Sequence, residues 1–250
     1  MIERFIRKLE NFAPLSQEEK NALLDASAVT RRYGAHEDLV QEGEPTDGVK
    51  IILQGLACRY KVLPDGRRQI VAYLVPGDIC DVRAALLRRM DHSIGTLCPV
   101  EAALWAPERV FILTDRYPRV TRALWWSTLV EEAITREWVV NVGQRTALER
   151  TAHLFCELFV RLRAVGLTQD DRFELPLTQT ELADTLALSA VHVNRTLMDM
   201  RRAHLVTFQG RILTVHDWEG LCDAAGFDSN YLHLDGQNQR PTAAPRRSNA

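Results

Sequence analysis

The sequence predicts an α+β chain: an N-terminal antiparallel β-roll of jelly-roll type, one long helix, and a C-terminal block of short helices closed by a β-hairpin. Three observations predict it. From about residue 30 to 107, short apolar runs alternate with turns rich in glycine and proline. Residues 119–142 then run without either. Residues 176–216 hold two closely spaced helical patterns and two β-rich runs.

Each element has its own signal. Met1–Glu10 sets Ile2, Phe5, Ile6 and Leu9 among charged side chains, the pattern of an amphipathic helix and not of a secretory signal. Ser16 and Glu19 form a capping box ahead of Ala22, Leu23 and Leu24, so a short helix is expected over 16–28. In the roll, Leu39-Val40 runs into Gly43, Val49–Leu53 into Gly55, Ile70–Val75 into Pro76-Gly77-Asp78, and Val100–Trp105 into Pro107. Pro64-Asp65-Gly66 marks one more turn. Turns at this spacing suit a small antiparallel barrel or sandwich.

The long helix carries Val120, Leu124, Leu129, Val130, Ile134, Trp138 and Val142, too widely spread for one stripe. Such a helix packs on its own domain and on something else, either a second subunit or more core. Gly143 is expected to break it as a hinge. Residues 145–165 form a further helix, with Leu148, Leu154, Phe155, Leu158 and Phe159 inside. The expected division is 1–118 for the roll, 119–144 for the long helix and hinge, 145–226 for the C-terminal domain, and 227–250 for a polar, disordered tail.

Composition narrows the function classes. Net charge is −2, so any contact with nucleic acid must be local. The five cysteines have no CxxC spacing, which leaves a zinc or iron–sulfur cluster without local support. Uncharged runs fall well short of the roughly 20 residues that span a bilayer. A cytoplasmic chain without membrane contact is expected. No P-loop, GxSxG or recognisable carboxylate pair points to an enzyme.

The informative stretch is residues 178–204. Thr178 and Glu181 make a capping box for one helix, with Leu182, Ala183 and Leu186 facing inward. A tight turn at Ala187-Leu188 follows, and Ser189 is a good N-cap for a second helix. On that helix Val193, Leu197 and Met200 share one face, while Val191, Arg195 and Met198 face away, with His192 and Asp199 toward one edge. Outward arginine can bond guanine in the major groove, and valine can touch a thymine methyl. We therefore expect Arg195, His192 and Val191 to read bases. Ser189, Thr178, Gln179, Arg201 and Arg211 suit phosphate oxygens. Leu205-Val206-Thr207-Phe208 and Arg211-Ile212-Leu213-Thr214-Val215, joined at Gln209-Gly210, form a hairpin wing with Arg211 at its tip. The block is thus a winged helix-turn-helix. The alternative is a small-effector or nucleotide-binding protein without DNA-regulatory function.

The order of parts resembles the Crp/Fnr family of regulators. Thr178–Arg202 carries the likeness most strongly, above all Leu188-Ser189 and His192-Val193-Asn194-Arg195. Gly43-Glu44-Pro45, Leu53-Gln54-Gly55, Asp65-Gly66 and Pro76-Gly77-Asp78 support it in the roll. The resemblance implies a homodimer on palindromic double-stranded DNA, with Arg195 as the matching base reader. It also implies RNA polymerase as a partner if the protein activates, through Pro64–Arg68 and Gly166–Arg172.

The roll departs from cyclic-AMP-binding relatives. Their ribose glutamate and phosphate-binding Arg-Ser pair correspond here to Asp81-Val82-Arg83 and His92-Ser93. These five residues are the candidate effector pocket, and they do not support cyclic AMP in the usual mode. No cysteine precedes Cys58, which speaks against the iron–sulfur cluster of other relatives. Cys80, His36 and His92 give no haem-ligand spacing. An unidentified small effector, thiol sensing at Cys80 or Cys156, and control by abundance remain as inputs.

Overall fold

The alternation of apolar runs and turns folds into two antiparallel sheets around one core. The computed structural model describes residues 2–87 and 89–234, with residue 83 described by its backbone alone. One sheet has the order β1 (Thr30–Tyr33), β7 (Val100–Trp105), β3 (Val49–Gln54). The other runs β2 (Asp38–Val40), β6 (Ser93–Thr96), β4 (Ala57–Val62), β5 (Arg68–Leu74). Val49, Ile51, Ala57, Leu74, Ile94 and Trp105 of both sheets are buried together. Gly55 turns the chain between β3 and β4 at φ +86°, where a Cβ would lie 2.3 Å from the Pro99 carbonyl oxygen. Only glycine fits that approach.

Helices close the roll. α1 (Glu3–Glu10) buries Phe5 edge-on against Trp105, with ring centroids 5.6 Å apart. α2 (Gln17–Ala26) starts at the expected Ser16–Glu19 capping box. α3 (Pro107–Arg116) was not anticipated as a separate helix. Its signals are Pro107 in the first turn and the buried pair Val110 and Leu113.

α4 (Pro118–Gln144) does not break at Gly143, as expected, but two residues later, where Arg145 turns extended. A single helical glycine costs only about 1 kcal/mol, which a helix of 27 residues absorbs. Val120, Leu124, Val130, Ile134 and Trp138 are buried, while Trp125, Leu129, Val139 and Val140 are exposed on the other side. α5 (Ala147–Ala164) follows, opened by a Thr146–Glu149 capping box.

The C-terminal part packs α6 (Gln179–Leu186), α7 (Ala190–Arg202) and α8 (Trp218–Ala225) with a sheet of order β8 (Arg172–Glu174), β10 (Ile212–Val215), β9 (Val206–Gln209). The tail expected to be disordered from 227 is ordered in its first residues. Ser229–Leu232 form a 3₁₀ turn in which Leu232 is buried and Tyr231 stacks on His153 at 5.9 Å. Two aromatic rings at 227 and 231 outweigh the polar texture around them. Residues 235–250, the remainder of that expectation, lie outside the described residues. Among the described residues no helix is long and apolar enough to cross a membrane.

Candidate nucleic-acid interface and sensor pocket

α6 and α7 owe their crossing to one strained residue. Ala187 ends α6 at φ 52°, ψ 46°, in the left-handed region, and its N–H and that of Leu188 both donate to the Ala183 carbonyl. α6 opens at the expected capping box: Glu181 N donates to Thr178 Oγ1 (3.1 Å) and Thr178 N to Glu181 Oε2 (2.7 Å). The Thr178 hydroxyl also donates to Glu181 Oε2 (2.8 Å). Its proton is therefore engaged within the chain, which weakens the expected role of Thr178 as a phosphate donor. At the start of α7, Ser189 Oγ accepts from His192 N (3.2 Å), and among the described residues nothing takes its proton.

The buried face of α7 is Val193, Thr196 and Met200. Leu197, expected inside, lies half-buried at the edge; Thr196 takes the inner place by donating its hydroxyl to the His192 carbonyl (3.0 Å). That local bond removes the cost of burying a hydroxyl.

The outer face of α7 lines a groove of about 650 Å³. Val191, Asn194, Arg195, Met198, Asp199 and Arg202 come from α7, and Gln179 reaches in from α6. Arg195 and Val191 are thus brought together; Val191 is 81% exposed. His192 stands half-buried outside the groove. Gln179, expected on phosphate, shares the groove with the base-reading candidates. Asn194 was missed, although its place three residues beyond Val191 and one before Arg195 puts it on the same face. Asp199 is tied to Arg202 (3.0 Å). Gln179, Asn194 and Arg195 have no side-chain partner among the described residues. Arg201 is exposed at the end of α7, and Arg211 is exposed at the wing tip. There Gly210 and Arg211 both have positive φ (59° and 65°), a two-residue turn of the primed type that matches strand twist.

In the roll, Asp81, His92 and Ser93 are buried and Val82 half-buried; the Arg83 side chain lies outside the described part. His92 Nδ1 lies 2.7 Å from Asp91, and its Nε2 is 4.0 Å from Asp81. That Nε2 has no hydrogen-bond partner among the described residues. Ser93 Oγ accepts from Glu42 N (3.0 Å). Sequence reasoning missed Arg59 as well. Its guanidinium donates to the Cys80 carbonyl (2.7 Å from Nη2) and to Glu131 of α4 (3.0 Å), joining roll to helix. Its partners lie 21 and 72 residues away, so no local pattern announces them.

Cys80 is buried and burial pushes its thiol up to about 12; burial raises the Cys156 thiol as well. Burial thus works against thiolate formation at both positions. His36 is exposed beside Glu181 of α6 (3.7 Å), whereas Cys80 and His92 are buried. Cys58, Cys156 and Cys222 lie on β4, α5 and α8 and Cys80 and Cys98 in loops, with the Cys156 and Cys222 side chains neighbouring each other. Among the described residues no three or more His, Cys, Asp or Glu side chains cluster to hold a metal.

The exposed side of α4 has its own pattern. Trp125, Leu129, Glu132, Arg136, Val139 and Gly143 recur at alternating spacings of four and three, the period of a coiled-coil seam. Glu132 and Arg136 pair at 2.8 Å within it. Trp125 is 68% exposed. Beside it a groove of about 560 Å³ is lined by Leu86, Phe111, Leu124 and Leu129 among others.

Comparison with known proteins gives a consistent picture. Residues 30–117 match the cyclic nucleotide-binding domain, and residues 149–224 match the Crp-like helix-turn-helix domain. The transcriptional activator protein FnrL of Cereibacter sphaeroides is 28% identical over 216 residues, covering 85% of this chain and 86% of that protein. The transcriptional activatory protein AadR of Rhodopseudomonas palustris is 28% identical over 199 residues, covering 79% of each. The structure of FixK2 from Bradyrhizobium japonicum superposes with a TM-score of 0.71 at 24% identity, over 78% of this chain and 96% of that one.

Proposed function

As the chain belongs to the Crp/Fnr family, we propose that it is a homodimeric transcription activator that reads a palindromic DNA site with α7. The observation that carries this reading is the groove in which Arg195 stands exposed beside Val191 and Gln179, with no side-chain partner among the described residues. A guanidinium there can bond guanine O6 and N7 bidentately, and Val191 can meet a thymine methyl. His192, at the groove's edge, reads a flanking base. Ser189, Gln179, Arg201 and Arg211 bind phosphates and fix the register, with Thr178 contributing less. The near-neutral charge of the chain makes non-specific binding weak.

Dimerisation follows from the outer face of α4. Burying Trp125, Leu129 and Val139 against a second copy removes an apolar strip that a lone chain leaves in water. The two recognition helices then fall on half-sites about 34 Å apart. The hairpin tip around Pro64–Arg68 and the loop Gly166–Arg172 are the surfaces assigned to RNA polymerase. A cytoplasmic, non-enzymatic role fits the relatives' descriptions.

The sensor reading is narrower. The effector pocket is assigned to Asp81, Val82, Arg83, His92 and Ser93 from the sequence, and the His92 imidazole, which lies between Asp91 and Asp81, is a poor substitute for a phosphate-clamping arginine. Arg59, a buried cation bonded to the Ile79 and Cys80 carbonyls just ahead of Asp81, is held by Glu131. We therefore assign the pocket to a small effector that is not cyclic AMP in the usual mode, and no haem or iron–sulfur cluster is assigned.

The test is Arg195→Ala in the full chain. Affinity for the selected palindrome should fall by about 1–3 kcal/mol per half-site and preference should relax at one base position. Competition binding over a set of single-base variants reads this. Unchanged base preference would sink the assignment.

A further inference from the structure

The sensor turn and the DNA-reading domain meet through a buried chain of charges. Asp78 closes the Pro76-Gly77-Asp78 turn after β5 and is 3% exposed. Its Oδ1 accepts from Lys8 Nζ of α1 (2.7 Å), and its Oδ2 from Arg161 Nη2 of α5 (2.7 Å) and from Val75 N (2.8 Å). Arg161 Nη2 also donates to the Tyr73 carbonyl (2.9 Å), while Nη1 donates to Glu157 (3.0 Å). Glu157, fully buried, accepts from Trp138 of α4 (3.0 Å) and from the Tyr231 hydroxyl (3.1 Å). One planar guanidinium thus joins β5, the turn and α5. The second acid it holds reaches the long helix and the C-terminal 3₁₀ turn.

A seam alongside repeats the connection at the helix-turn-helix itself. Arg68 of β5 pairs with Asp184 of α6 (2.8 Å). Gln69 donates to the Thr185 carbonyl (3.1 Å), and the Tyr73 hydroxyl lies 2.5 Å from Thr185 Oγ1. The first helix of the reading motif is therefore bonded to a strand of the roll. Two residues beyond Asp78, the Cys80 carbonyl receives Arg59, which in turn holds Glu131 on α4. Turn and reading domain are thus joined by directional bonds, with Tyr73 shared between Arg161 and Thr185.

We propose that Arg161 is a positioning residue for DNA reading: with Asp78 and the Arg68–Asp184 seam, it fixes the pose of α7 on the roll and so the separation of the two Arg195 side chains in the dimer. This rests on the dimeric DNA-binding reading above. The bonds that set the pose are directional and mostly buried, so the reading domain has few alternative orientations. Lysine cannot replace them, because a single ammonium cannot span Asp78, the Tyr73 carbonyl and Glu157 in the plane of a guanidinium. Each half-site would still be read by the same α7 face, since no groove residue belongs to the chain of charges.

The experiment compares wild type with Arg161→Lys in the full chain, on paired half-sites whose spacer is the selected length or one base pair longer. The ratio of the two affinities is the readout, with base preference and thermal melting measured in parallel. Positioning predicts that the ratio falls by about fivefold, the lower range of measured site-to-site couplings, while base preference within each half-site stays. A role confined to stability would lower both affinities alike; an unchanged ratio in a folded variant overturns the proposal. Where Arg161→Lys does not fold, Asp184→Asn in the more exposed seam gives the same decision. If wild type itself shows no preference for paired half-sites, the dimeric reading fails; if wild type shows one and both variants keep it, only the positioning role fails.

Discussion

Ala187 pays a conformational penalty that a glycine would not. Left-handed backbone costs an L-residue roughly 1–2 kcal/mol, and Ala187 sits there at φ 52°. Replacing it by glycine relieves that strain but loosens the unfolded chain by about 0.4–1 kcal/mol. The net expectation for Ala187→Gly is a gain of about 0.5 kcal/mol, seen as a higher urea midpoint at unchanged slope. A loss would mean that the alanine methyl contributes packing that outweighs the strain. His153 behaves differently with acid. Burial, aided by Arg145 and opposed by Glu137, lowers its pKa to about 4. Between that value and about 6.5 the unfolded chain binds a proton that the folded one refuses, so stability rises with pH across this window. By pH 5 the folded state should have lost on the order of 2 kcal/mol relative to pH 7. His153→Gln should remove most of that slope in urea titrations at the two pH values; an equal slope would place the effect elsewhere. At this scale the sequence was legible where chemistry is local. Ser189, Thr178 and Arg195 follow from caps and helical period. Arg59, Asp78 and Arg161 do not, because each is defined by partners that only the fold brings near.

Elements were legible in proportion to their periodicity. The capping boxes at Ser16 and Thr178 start helices where expected, and the Gly210-Arg211 turn closes the wing. The missed or misplaced ends have physical causes. α3 is short and amphipathic on little more than Val110 and Leu113, and α4 is long enough to carry Gly143 through its last turn. The cap of α7 offers a direct check. Ser189→Ala leaves His192 N without its acceptor and should cost about 1 kcal/mol. The same change removes a hydroxyl proton from the DNA side, so affinity should also fall across all sequences alike. Denaturation and binding to specific and scrambled duplexes separate the two effects. Loss of preference for particular bases would contradict a phosphate role for Ser189.

For the whole molecule, the proposed dimer rests on the outer face of α4. Its seam pattern places a charged layer, Glu132 and Arg136, between apolar layers at Trp125, Leu129 and Val139. A charged layer weakens a coiled seam but fixes its register. Trp125→Glu should shift the protein to monomer at concentrations where wild type is dimeric, as read by light scattering. It should also abolish binding to paired half-sites. A dimeric variant would move the interface off α4. The order of antiparallel sheets, long helix and short helices was visible in the changes of texture along the chain. What texture cannot show is that roll and reading domain are bonded side by side, through Asp78 with Arg161 and Arg68 with Asp184.

That bonding bears on how such a protein can be recombined. The extended residue Arg145, between the two long helices, looks like the natural place to exchange one input half for another. A chimera cut there would separate Asp78 from Arg161 and Arg68 from Asp184, burying unmatched charges on both sides of the join. Roll and reading domain are therefore not interchangeable cassettes. A working graft would have to carry these pairs together, and exchange of sensors among such chains is restricted to donors whose turn and first reading-domain helix supply the same partners.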